Sequence, residues 1–434
     1  MRCCFITLGC RVNQYESDAM AELLLNAGHE VVDDPSIADV CVVNTCTVTN
    51  IADRKSRQML SKAHRLNENA KVIATGCFTQ RNSESVSKIE GVDAVMGSGE
   101  RSRIVEIAEA LFNGGEKKIL VGDVMHKHDF EELSATHEGR TRAYLKIQDG
   151  CNLFCTYCAI PFARGAIRSR SLESVRKEAV KLDQGGYAEV VLTGIHLMSY
   201  GKDFGDGTNI LDAVKCFDGL RNIKRIRFGS LEPHMLTDDI IDDLAKNDRV
   251  CKQFHLSLQS GSDTVLERMR RGYTSEQYFE LCKKLRNAFG EDTAITTDII
   301  AGFPGETMYE HEQTAEFMKK VGFAKVHIFP YSRRSGTKAD AMPGQLSNAE
   351  KSRRAKLLIE EGKKLERNYL GGYLGRTVSV LVERCDETDC GPISSGCTDT
   401  YVKVKLKGQF IPNTMVSAKI NNIMEEKDGE LYLL

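Results

Sequence analysis

The chain has 434 residues, 41% of them hydrophobic, which is enough for sizeable cores and about three domains at roughly 150 residues each. Its formal net charge of −2 excludes a globally basic nucleic-acid binder, so any site for a polyanion must be a local patch. Fifteen cysteines in so long a chain do not resemble a small disulfide scaffold, and no apolar run approaches the roughly 20 residues that span a bilayer. We expect a reducing, cytoplasmic setting without a membrane partner.

Residues 1–115 alternate short apolar strands with helical stretches, a pattern typical of a parallel α/β domain. The predicted strands are Cys3–Leu8, Val40–Asn44, Lys71–Thr75 and Val92–Met96. The predicted helices are Ser17–Ala27, Ile51–Arg65 and Arg101–Phe112. The polar stretch Met125–Arg142 is predicted to be a linker.

Three cysteines follow predicted strands of this first domain: Cys10, Cys46 and Cys77. In open parallel sheets, ligands bind beyond the carboxyl ends of the strands, so the three side chains are predicted to converge. Three thiolate ligands on a cubane cluster leave one iron free to exchange its ligand. That iron would be able to hold sulfide, or a sulfur chain on its way to a product.

Residues 137–370 repeat the strand–helix pattern more slowly, which suits a partial (β/α)6 barrel. The predicted strands are Ala143–Ile147, Glu189–Thr193, Lys224–Phe228, Phe254–Leu258, Ala294–Ile300 and Lys325–Phe329. A charged helix, Leu346–Leu370, is predicted to lead out of the barrel.

Cys151, Cys155 and Cys158 place three thiols within eight residues, directly after the first barrel strand. Three cysteine ligands on a cubane leave one iron that can chelate S-adenosylmethionine, and one electron then yields a 5′-deoxyadenosyl radical. A zinc site or three core cysteines are the alternatives. Structural zinc usually takes four protein ligands, and no fourth cysteine or histidine lies nearby in sequence. The position after a barrel strand also favours an active site.

Small and polar residues follow the other barrel strands, where they are predicted to hold the ribose and methionine parts of the cofactor: Gly194, Ser230, Glu232, Gln259, Ser260, Gly302 and Pro304. Glycine lets a backbone approach a ligand closely. Ordinary strand–helix turns also favour glycine and serine, and this alternative stays open for each residue.

Residues 371–434 change to short strands with turns, as in a small β-barrel of the oligonucleotide-binding kind. The predicted strands are Thr377–Glu383, Thr400–Leu406, Met415–Ile420 and Glu430–Leu433. Three tail cysteines are interpreted as loop or packing residues: Cys385, Cys390 and Cys397.

Three basic groups are candidates for contact with RNA phosphates. Strict alternation puts Lys403, Lys405 and Lys407 on one face of a strand. A second group follows Cys46 and comprises Arg54, Lys55, Arg57, Lys62 and Arg65, and a third follows Cys158 and comprises Arg164, Arg168 and Arg170. A plain solvated face is the alternative for each group.

These motifs together resemble the methylthiotransferase family of radical S-adenosylmethionine enzymes, over nearly the whole chain. The resemblance implies an auxiliary [4Fe-4S] cluster on the first cysteine set, a radical [4Fe-4S] cluster on the second and a C-terminal TRAM domain. The stretch Leu8–Ser17, which reads LGCRVNQYES, is similar to the MtaB-type branch, which modifies N6-threonylcarbamoyladenosine beside the tRNA anticodon. The isopentenyladenosine branch usually has Gln-Met after this cysteine, and the branch acting on a ribosomal protein aspartate usually has Pro-Lys.

The resemblance implies that one S-adenosylmethionine supplies a methyl group to sulfur on the auxiliary cluster. A second generates the radical that takes hydrogen from C2 of the adenine. The partners implied are the tRNA anticodon loop, an electron donor and a sulfur source. Two alternatives remain: the same chemistry on isopentenyladenosine or a ribosomal protein aspartate, and a non-enzymatic, zinc-containing RNA-binding protein.

Overall fold

The computed structural model describes residues 1–135, 141–389, 391–426 and 430–434. The predicted start of the barrel domain, residue 137, and Cys390 lie outside the described residues. So do residues 136–140 of the predicted linker. The described chain forms an N-terminal parallel sheet, two central arcs of strands and a C-terminal sheet. No helix in these ranges is long and apolar enough to cross a membrane.

The N-terminal part is a six-stranded sheet in the order β2-β1-β3-β4-β5-β6, with every neighbouring pair parallel. Its strands are β1 (Arg2–Thr7), β2 (Glu30–Val31), β3 (Val40–Thr45), β4 (Lys71–Gly76), β5 (Val92–Met96) and β6 (Lys118–Leu120). Its helices are α1 (Arg11–Asn26), α2 (Asn50–Leu66), α3 (Cys77–Arg81), α4 (Ser83–Ser87) and α5 (Ile104–Phe112).

The hydrophobic pattern explains this arrangement. All six residues of β3 are buried, as expected for a parallel strand covered on both faces. Alternate residues of the strand enter opposite cores: Val42 packs with Leu24 and Ile107 on one face, and Val43 packs with Leu60 on the other. The parallel α/β class predicted for this part is confirmed.

The central part consists of two four-stranded arcs, β10-β9-β7-β8 and β11-β12-β13-β14. Its strands are β7 (Arg142–Asp149), β8 (Arg168–Ser169), β9 (Glu189–Gly194), β10 (Arg225–Phe228), β11 (Ser230–Leu231), β12 (Gln253–Leu256), β13 (Ala294–Ala301) and β14 (Lys325–Pro330). Its helices are α6 (Ile160–Arg164), α7 (Leu172–Gln184), α8 (Ile210–Lys215), α9 (Asp238–Ala245), α10 (Asp263–Arg268), α11 (Ser275–Phe289), α12 (Met308–Val321) and α13 (Asn348–Gly371).

The two arcs form the predicted partial barrel. A parallel bridge between Ile226 and Val250 joins them, and all ladders are parallel except that of the short edge strand β8. One large hydrophobic core runs between the strands and the surrounding helices. The carboxyl ends of the strands therefore face one side of the barrel, where barrel active sites lie.

The C-terminal part is a six-stranded, mostly antiparallel sheet in the order β18-β15-β16-β17-β20-β19. Its strands are β15 (Thr377–Thr388), β16 (Gly391–Cys397), β17 (Lys403–Lys407), β18 (Met415–Lys419), β19 (Ile423–Glu425) and β20 (Leu431–Leu433). Arg225 of β10 donates to the carbonyl oxygens of Cys397 and Ser379 at 2.9 Å, and Arg227 donates to that of Asp399 at 2.9 Å. These bonds hold the turn before β17 against the barrel.

Candidate active site at two cysteine triads

The first candidate cluster site is the N-terminal triad, which we define as Cys10, Cys46 and Cys77. Cys10 lies at the start of α1, Cys46 directly follows β3, and Cys77 begins α3. Because β1, β3 and β4 are adjacent and parallel, all three cysteines emerge at one edge of the sheet.

Glycines permit the close approach within this triad. Gly9 has φ +105°, and a Cβ there would lie 2.9 Å from Cβ and 3.0 Å from Sγ of Cys46. Gly76, before Cys77, has φ +94°, and a Cβ there would lie 2.4 Å from the Asn44 side-chain oxygen. Only glycine fits both turns without displacing a neighbour.

A buried guanidinium contacts the N-terminal triad. Arg164 Nε donates to Cys77 Sγ at 3.1 Å. Burial raises the pKa of the Cys77 thiol, and the charge of Arg164 opposes that rise. Burial raises the pKa of Cys46 to about 12. A metal ligand must be the thiolate, so a fixed positive charge beside Cys77 favours the form that binds iron.

Arg164 belongs to a buried charge network around one carboxylate. Glu16 accepts from Lys146 Nζ at 2.7 Å and pairs with Arg101 at 3.0 Å and with Arg164. Burial alone would raise the pKa of Glu16, but the three cations outweigh it and lower the pKa to about 2. Lys146 and Arg164 also reach Asp149, two residues before Cys151, so the network extends between the two cysteine sets.

This network corrects the interpretation of one basic group. Arg164, Arg168 and Arg170 were predicted to be available to RNA phosphates, yet each is at most 4% exposed. Arg164 and Arg168 pair with the carboxylate of Asp149, and Arg170 pairs with Glu178. These charges are therefore directed to carboxylates inside the protein, where a buried ionised group needs a partner, and not to solvent.

The second candidate site is the barrel triad, Cys151, Cys155 and Cys158, in the loop after β7. The loop is tight: a Cβ on Gly150 would lie 1.8 Å from the Ala166 carbonyl oxygen, and the Cys158 amide donates to the Cys155 carbonyl at 2.9 Å. Burial raises the pKa of Cys151 to about 11 and that of Cys158 to about 12. Bound iron is the natural means of keeping such buried thiols deprotonated.

An arginine also contacts the barrel triad. Arg271 Nη1 donates to Cys155 Sγ at 3.2 Å, and its Nη2 donates to Glu232 at 2.6 Å. Burial would raise the pKa of Glu232, but the nearby His196, a hydrogen bond with His234 and the charge of Arg271 lower it to about 2. Glu232, one of the residues predicted to hold the cofactor, thus orients the arginine that contacts Cys155.

The chemistry of both triads suits iron–sulfur clusters. Among the described residues, no three or more His, Cys, Asp or Glu side chains lie close enough to share one metal ion. Ligands of a cubane bind different iron atoms and so stand farther apart than ligands of a single ion. Each triad offers three thiols, a glycine-lined approach and one guanidinium beside a sulfur, which fit a three-cysteine cluster.

A cavity of about 610 Å³ lies along the inner face of the barrel strands and reaches both neighbouring parts of the chain. The N-terminal part contributes Cys10 and Arg11, and the C-terminal part contributes the turn around Tyr401. The barrel residues lining it include Thr193, Gly194, Phe228, Gly229, Ser230, His255, Asp298, Lys325 and His327. The fold therefore brings Gly194 and Ser230 to the cavity that contains Cys10.

The other predicted cofactor residues do not line this cavity. Ser260 is buried with its hydroxyl 3.3 Å from that of Thr314, and Gln259 adopts φ +73° while its amide donates to the Asp298 carbonyl. The backbone amide of Gly302 donates to Glu306 at 2.8 Å, and a Cβ on Gly302 would collide with Lys351. Pro304 lies in the same loop. These contacts give the four residues packing roles in the loops, and their contact with a cofactor stays a prediction.

Sequence reasoning missed three side chains that the structure puts at the site. Arg271 and Tyr401 received no role, and Arg164 received the wrong one. Arg271 follows Arg270, whose φ is +62°, and no local pattern indicates that its neighbour reaches a loop 116 residues earlier. Metal ligands need hydrogen-bonded support, so a buried partner for a cysteine of each triad was predictable, but the residue that supplies it was not.

The two remaining basic groups differ in whether their charges are free to contact phosphate. Lys403 and Lys405 pair with Glu430 and Glu426, so within that stripe only Lys407 has no ion pair among the described residues. On α2, beside Cys46, the five predicted basic side chains are exposed or nearly so: Arg54, Lys55, Arg57, Lys62 and Arg65. The α2 face is therefore the better candidate for phosphate contact.

Comparison with known families agrees with this geometry. The Radical SAM superfamily matches residues 145–318, which contain the barrel triad, and Uncharacterized protein family UPF0004 matches residues 2–97, which contain the N-terminal triad. The former match implies S-adenosylmethionine and a [4Fe-4S] cluster as cofactors.

Solved structures share the fold. The radical S-adenosylmethionine methyltransferase TsrM from Kitasatospora setae aligns with a TM-score of 0.54 at 16% identity, covering 78% of this chain and 75% of that one. The cobalamin-dependent S-adenosylmethionine radical enzyme OxsB aligns with a TM-score of 0.51 at 12% identity, covering 84% of this chain and 56% of that one.

Curated relatives match almost end to end. Threonylcarbamoyladenosine tRNA methylthiotransferase MtaB from Bacillus subtilis is 41% identical, covering 93% of this chain and 90% of the relative. MtaB from Thermotoga maritima is 36% identical, covering 97% of this chain and 94% of the relative. The tRNA-2-methylthio-N(6)-dimethylallyladenosine synthase of Moorella thermoacetica is 35% identical, covering 90% of this chain and 88% of the relative. The chain therefore belongs to the radical S-adenosylmethionine methylthiotransferases that act on tRNA.

Proposed function

We propose that this enzyme transfers a methylthio group to C2 of N6-threonylcarbamoyladenosine next to the tRNA anticodon. The reaction uses two [4Fe-4S] clusters and two molecules of S-adenosylmethionine. Support comes from the names of its relatives, at up to 41% identity, and from the LGCRVNQYES stretch around Cys10.

The observation that carries the proposal is the shared cavity. Cys10 of the N-terminal triad lines the same space as Gly194 and Ser230 at the carboxyl ends of barrel strands. A base inserted there would meet Cys10 of the proposed sulfur-holding triad and the strand ends proposed to hold S-adenosylmethionine. One triad alone would explain radical chemistry but not the delivery of sulfur.

The two triads divide the work. Cys10, Cys46 and Cys77 would hold the auxiliary cluster, and Cys151, Cys155 and Cys158 the radical cluster. When bound, these groups and S-adenosylmethionine supply sulfur and the one-electron chemistry that removes hydrogen from an unactivated aromatic carbon. The protein contributes Arg164 and Arg271, which hold positive charge against one sulfur ligand in each triad.

Cofactor binding is proposed at the strand ends predicted from the sequence. Gly194 and Ser230 line the cavity, and Glu232 is connected to Cys155 through Arg271. Four further residues shape the adjoining loops and complete the proposed set: Gln259, Ser260, Gly302 and Pro304.

The tRNA anticodon loop is the macromolecular partner, since single-stranded loops present unstacked bases to proteins. The exposed basic face of α2 next to Cys46 supports this role. An electron donor and a sulfur source complete the partners. The cytoplasm is the proposed compartment, because every described cysteine is free and reducing compartments keep thiols free.

Three domains are proposed, at residues 1–115, 137–370 and 371–434. Separate hydrophobic clusters in the two sheets and in the barrel support the division. Leu370 and Tyr373 already pack with the C-terminal strands, which fits a boundary near residue 370.

The direct test is reconstitution. The anaerobically reconstituted enzyme, S-adenosylmethionine, a reductant and tRNA bearing threonylcarbamoyladenosine should yield the 2-methylthio nucleoside in a digest read by mass spectrometry. Absence of that nucleoside, with S-adenosylmethionine cleaved normally, would contradict the assigned substrate.

The second candidate substrate is isopentenyladenosine, because relatives named tRNA-2-methylthio-N(6)-dimethylallyladenosine synthase also match over most of the chain. A third is a ribosomal protein aspartate. Parallel reactions with each, read by nucleoside digest and protein mass spectrum, distinguish the three. The non-enzymatic zinc protein is not retained, because the family to which the chain belongs consists of enzymes.

A further inference from the structure

We propose that Arg11 binds the carboxylate of the threonylcarbamoyl group and so selects the carboxylate-bearing nucleoside. This inference rests on the proposed function and adds the residue that recognises the substituent. Arg11 directly follows Cys10 and lines the same cavity.

The surroundings of Arg11 leave its charge available. Three lysine or arginine side chains line the cavity: Arg11, Lys325 and Lys403. Lys325 pairs with Glu366 and Lys403 pairs with Glu430, whereas Arg11 has no carboxylate within 4.0 Å among the described residues. A half-buried cation in a cavity, without an internal counter-ion, is suited to an anionic ligand.

Aromatic rings hold the guanidinium in place. Its carbon lies 5.3 Å from the ring centroid of Tyr401 and 5.8 Å from that of Tyr144, and Arg11 Nη2 donates to the Tyr401 hydroxyl at 3.1 Å. One hydrogen bond leaves other N–H donors of the planar fork for a carboxylate, which arginine binds bidentately.

Tyr401 is itself fixed by an unusual backbone. Its φ is +65°, which is rare for a bulky residue and costs free energy, so it persists only where neighbouring structure enforces it. Arg142 and Arg227 also lie over its ring, at 4.9 and 4.6 Å, but Arg142 pairs with Glu189 and Glu383, and Arg227 pairs with Glu189. Of the three arginines over the Tyr401 ring, Arg11 is therefore the one that forms no ion pair with a carboxylate among the described residues.

The geometry of the adenine base agrees with the position of Arg11 next to Cys10. The N6 substituent and C2 both lie along the Watson–Crick edge of adenine, so a group that binds the substituent should adjoin the group that modifies C2. Arg11 and Cys10 are consecutive residues, and both line the cavity.

The test combines an enzyme change with a substrate change. The enzymes are wild type, Arg11→Gln, Arg11→Lys and the exposed control Arg353→Gln on α13. The substrates are anticodon stem-loops carrying threonylcarbamoyladenosine with its carboxylate free or blocked as the methylamide, and one carrying plain adenosine. Binding is read by fluorescence anisotropy and turnover by nucleoside mass spectrometry, with iron content and S-adenosylmethionine cleavage measured in parallel.

Arg11→Gln should weaken binding of the free-carboxylate stem-loop by roughly 10- to 150-fold, the range for one hydrogen-bonded charged group. Binding of the methylamide and plain stem-loops should not change. Removing both the arginine and the carboxylate should cost no more than removing either, since the two changes delete one interaction. Arg11→Lys should recover part of the loss, and Arg353→Gln should match wild type.

Equal weakening of all three stem-loops by Arg11→Gln would show a phosphate contact and overturn the inference, as would full retention of the carboxylate preference. If wild type methylthiolates the blocked and free forms at the same rate, the inference fails while the proposed function stands. If wild type modifies neither form, the proposed function itself fails.

Discussion

One arginine contacts each cysteine triad: Arg164 contacts Cys77 and Arg271 contacts Cys155. Both guanidinium groups are buried, and each is also held by a carboxylate, Glu16 for the former and Glu232 for the latter. The carboxylates fix the arginines while the arginines offset thiolate charge. In metal sites, loss of a supporting group of this kind typically costs roughly 10- to 100-fold in metal affinity or activity.

Replacing Arg271 should change the radical site without removing a ligand. Arg271→Gln is expected to lower the reduction potential of the cluster, because positive charge beside Cys155 stabilises the more negative, reduced state. S-adenosylmethionine cleavage should slow by roughly 10- to 100-fold. Spectroelectrochemical titration measures the potential, and Arg353→Gln is the control. An unchanged potential at full iron content would refute this role.

The carboxylate of Glu16 should be essential for folding stability. Glu16→Gln leaves Arg101, Arg164 and Lys146 without their shared counter-ion in a buried region. Breaking a buried ion pair on one side costs about 3–5 kcal/mol, and we expect a loss of this size in the free energy of unfolding. Urea unfolding of the apoprotein measures it. Glu173→Gln, in an exposed pair with Lys177, should leave stability unchanged.

Acid should unfold the apoprotein through its buried carboxylates. The pKa of Glu16 and that of Glu189 are each lowered to about 2, below the usual value of 4.5. A depressed pKa stabilises the folded state fully above the usual value, and that stability is lost as pH falls from about 4.5 towards 2, at up to about 1.4 kcal/mol per pH unit for each group. Thermal unfolding at pH 7, 4 and 3 should show a steep drop only below 4.5. A midpoint independent of pH would contradict these values.

The candidate site residues that could be predicted are those that stand next to a recognisable pattern in the sequence. The six cysteines follow strands whose apolar runs are visible in the sequence, and Gly9 and Gly76 precede two of them. The partners Arg164, Arg271 and Tyr401 come from distant segments, and only tertiary packing brings them to the site.

At the scale of elements, α2 is the helix that we propose for contact with tRNA. It begins four residues after Cys46, and Thr49 caps it by accepting from the Ala52 amide. Its basic side chains project into solvent beside the N-terminal triad.

Removing charge from α2 should weaken tRNA binding in a salt-dependent way. The double variant Arg54→Gln and Lys55→Gln is expected to lower the slope of log affinity against log salt by about one for each phosphate that is no longer neutralised. S-adenosylmethionine cleavage without tRNA should not change. Anisotropy titrations at several salt concentrations measure the slope, and an unchanged slope would place the tRNA elsewhere.

The long elements were predictable and the short ones were not. The parallel strands β3, β4 and β5 lie within one residue of their predicted bounds because buried parallel strands are continuous apolar runs. The two-residue strands β2, β8 and β11 were missed, since two residues carry no periodicity. The strand β16, GPISSGC, was missed because glycine, proline and serine indicate turns, and pairing with β15 and β17 overrides that tendency.

At the scale of the whole molecule, three parts meet around one cavity. The start of α1 contributes Cys10 and Arg11, the barrel contributes its strand ends, and the C-terminal turn contributes Tyr401. Buried contacts such as Arg227 to the Asp399 carbonyl connect barrel and C-terminal sheet. The length of the chain predicted about three domains, but only the assembled fold shows that three parts of the chain line one cavity.

The two triads should be separable in function. Cys155→Ala is expected to abolish cleavage of S-adenosylmethionine, whereas Cys46→Ala should spare cleavage and stop sulfur insertion. Deoxyadenosine and methylthio-nucleoside yields measure the two activities. If each variant lost cleavage and sulfur insertion to the same extent, the division of roles would be contradicted.

We propose that each triad holds its own four-iron cluster. Iron and acid-labile sulfide should therefore be measured per chain in anaerobically reconstituted wild type and in the variant with Cys10, Cys46 and Cys77 all changed to alanine. We predict about eight irons in the wild type and about four in the variant. Four irons in both proteins would contradict the claim of two clusters.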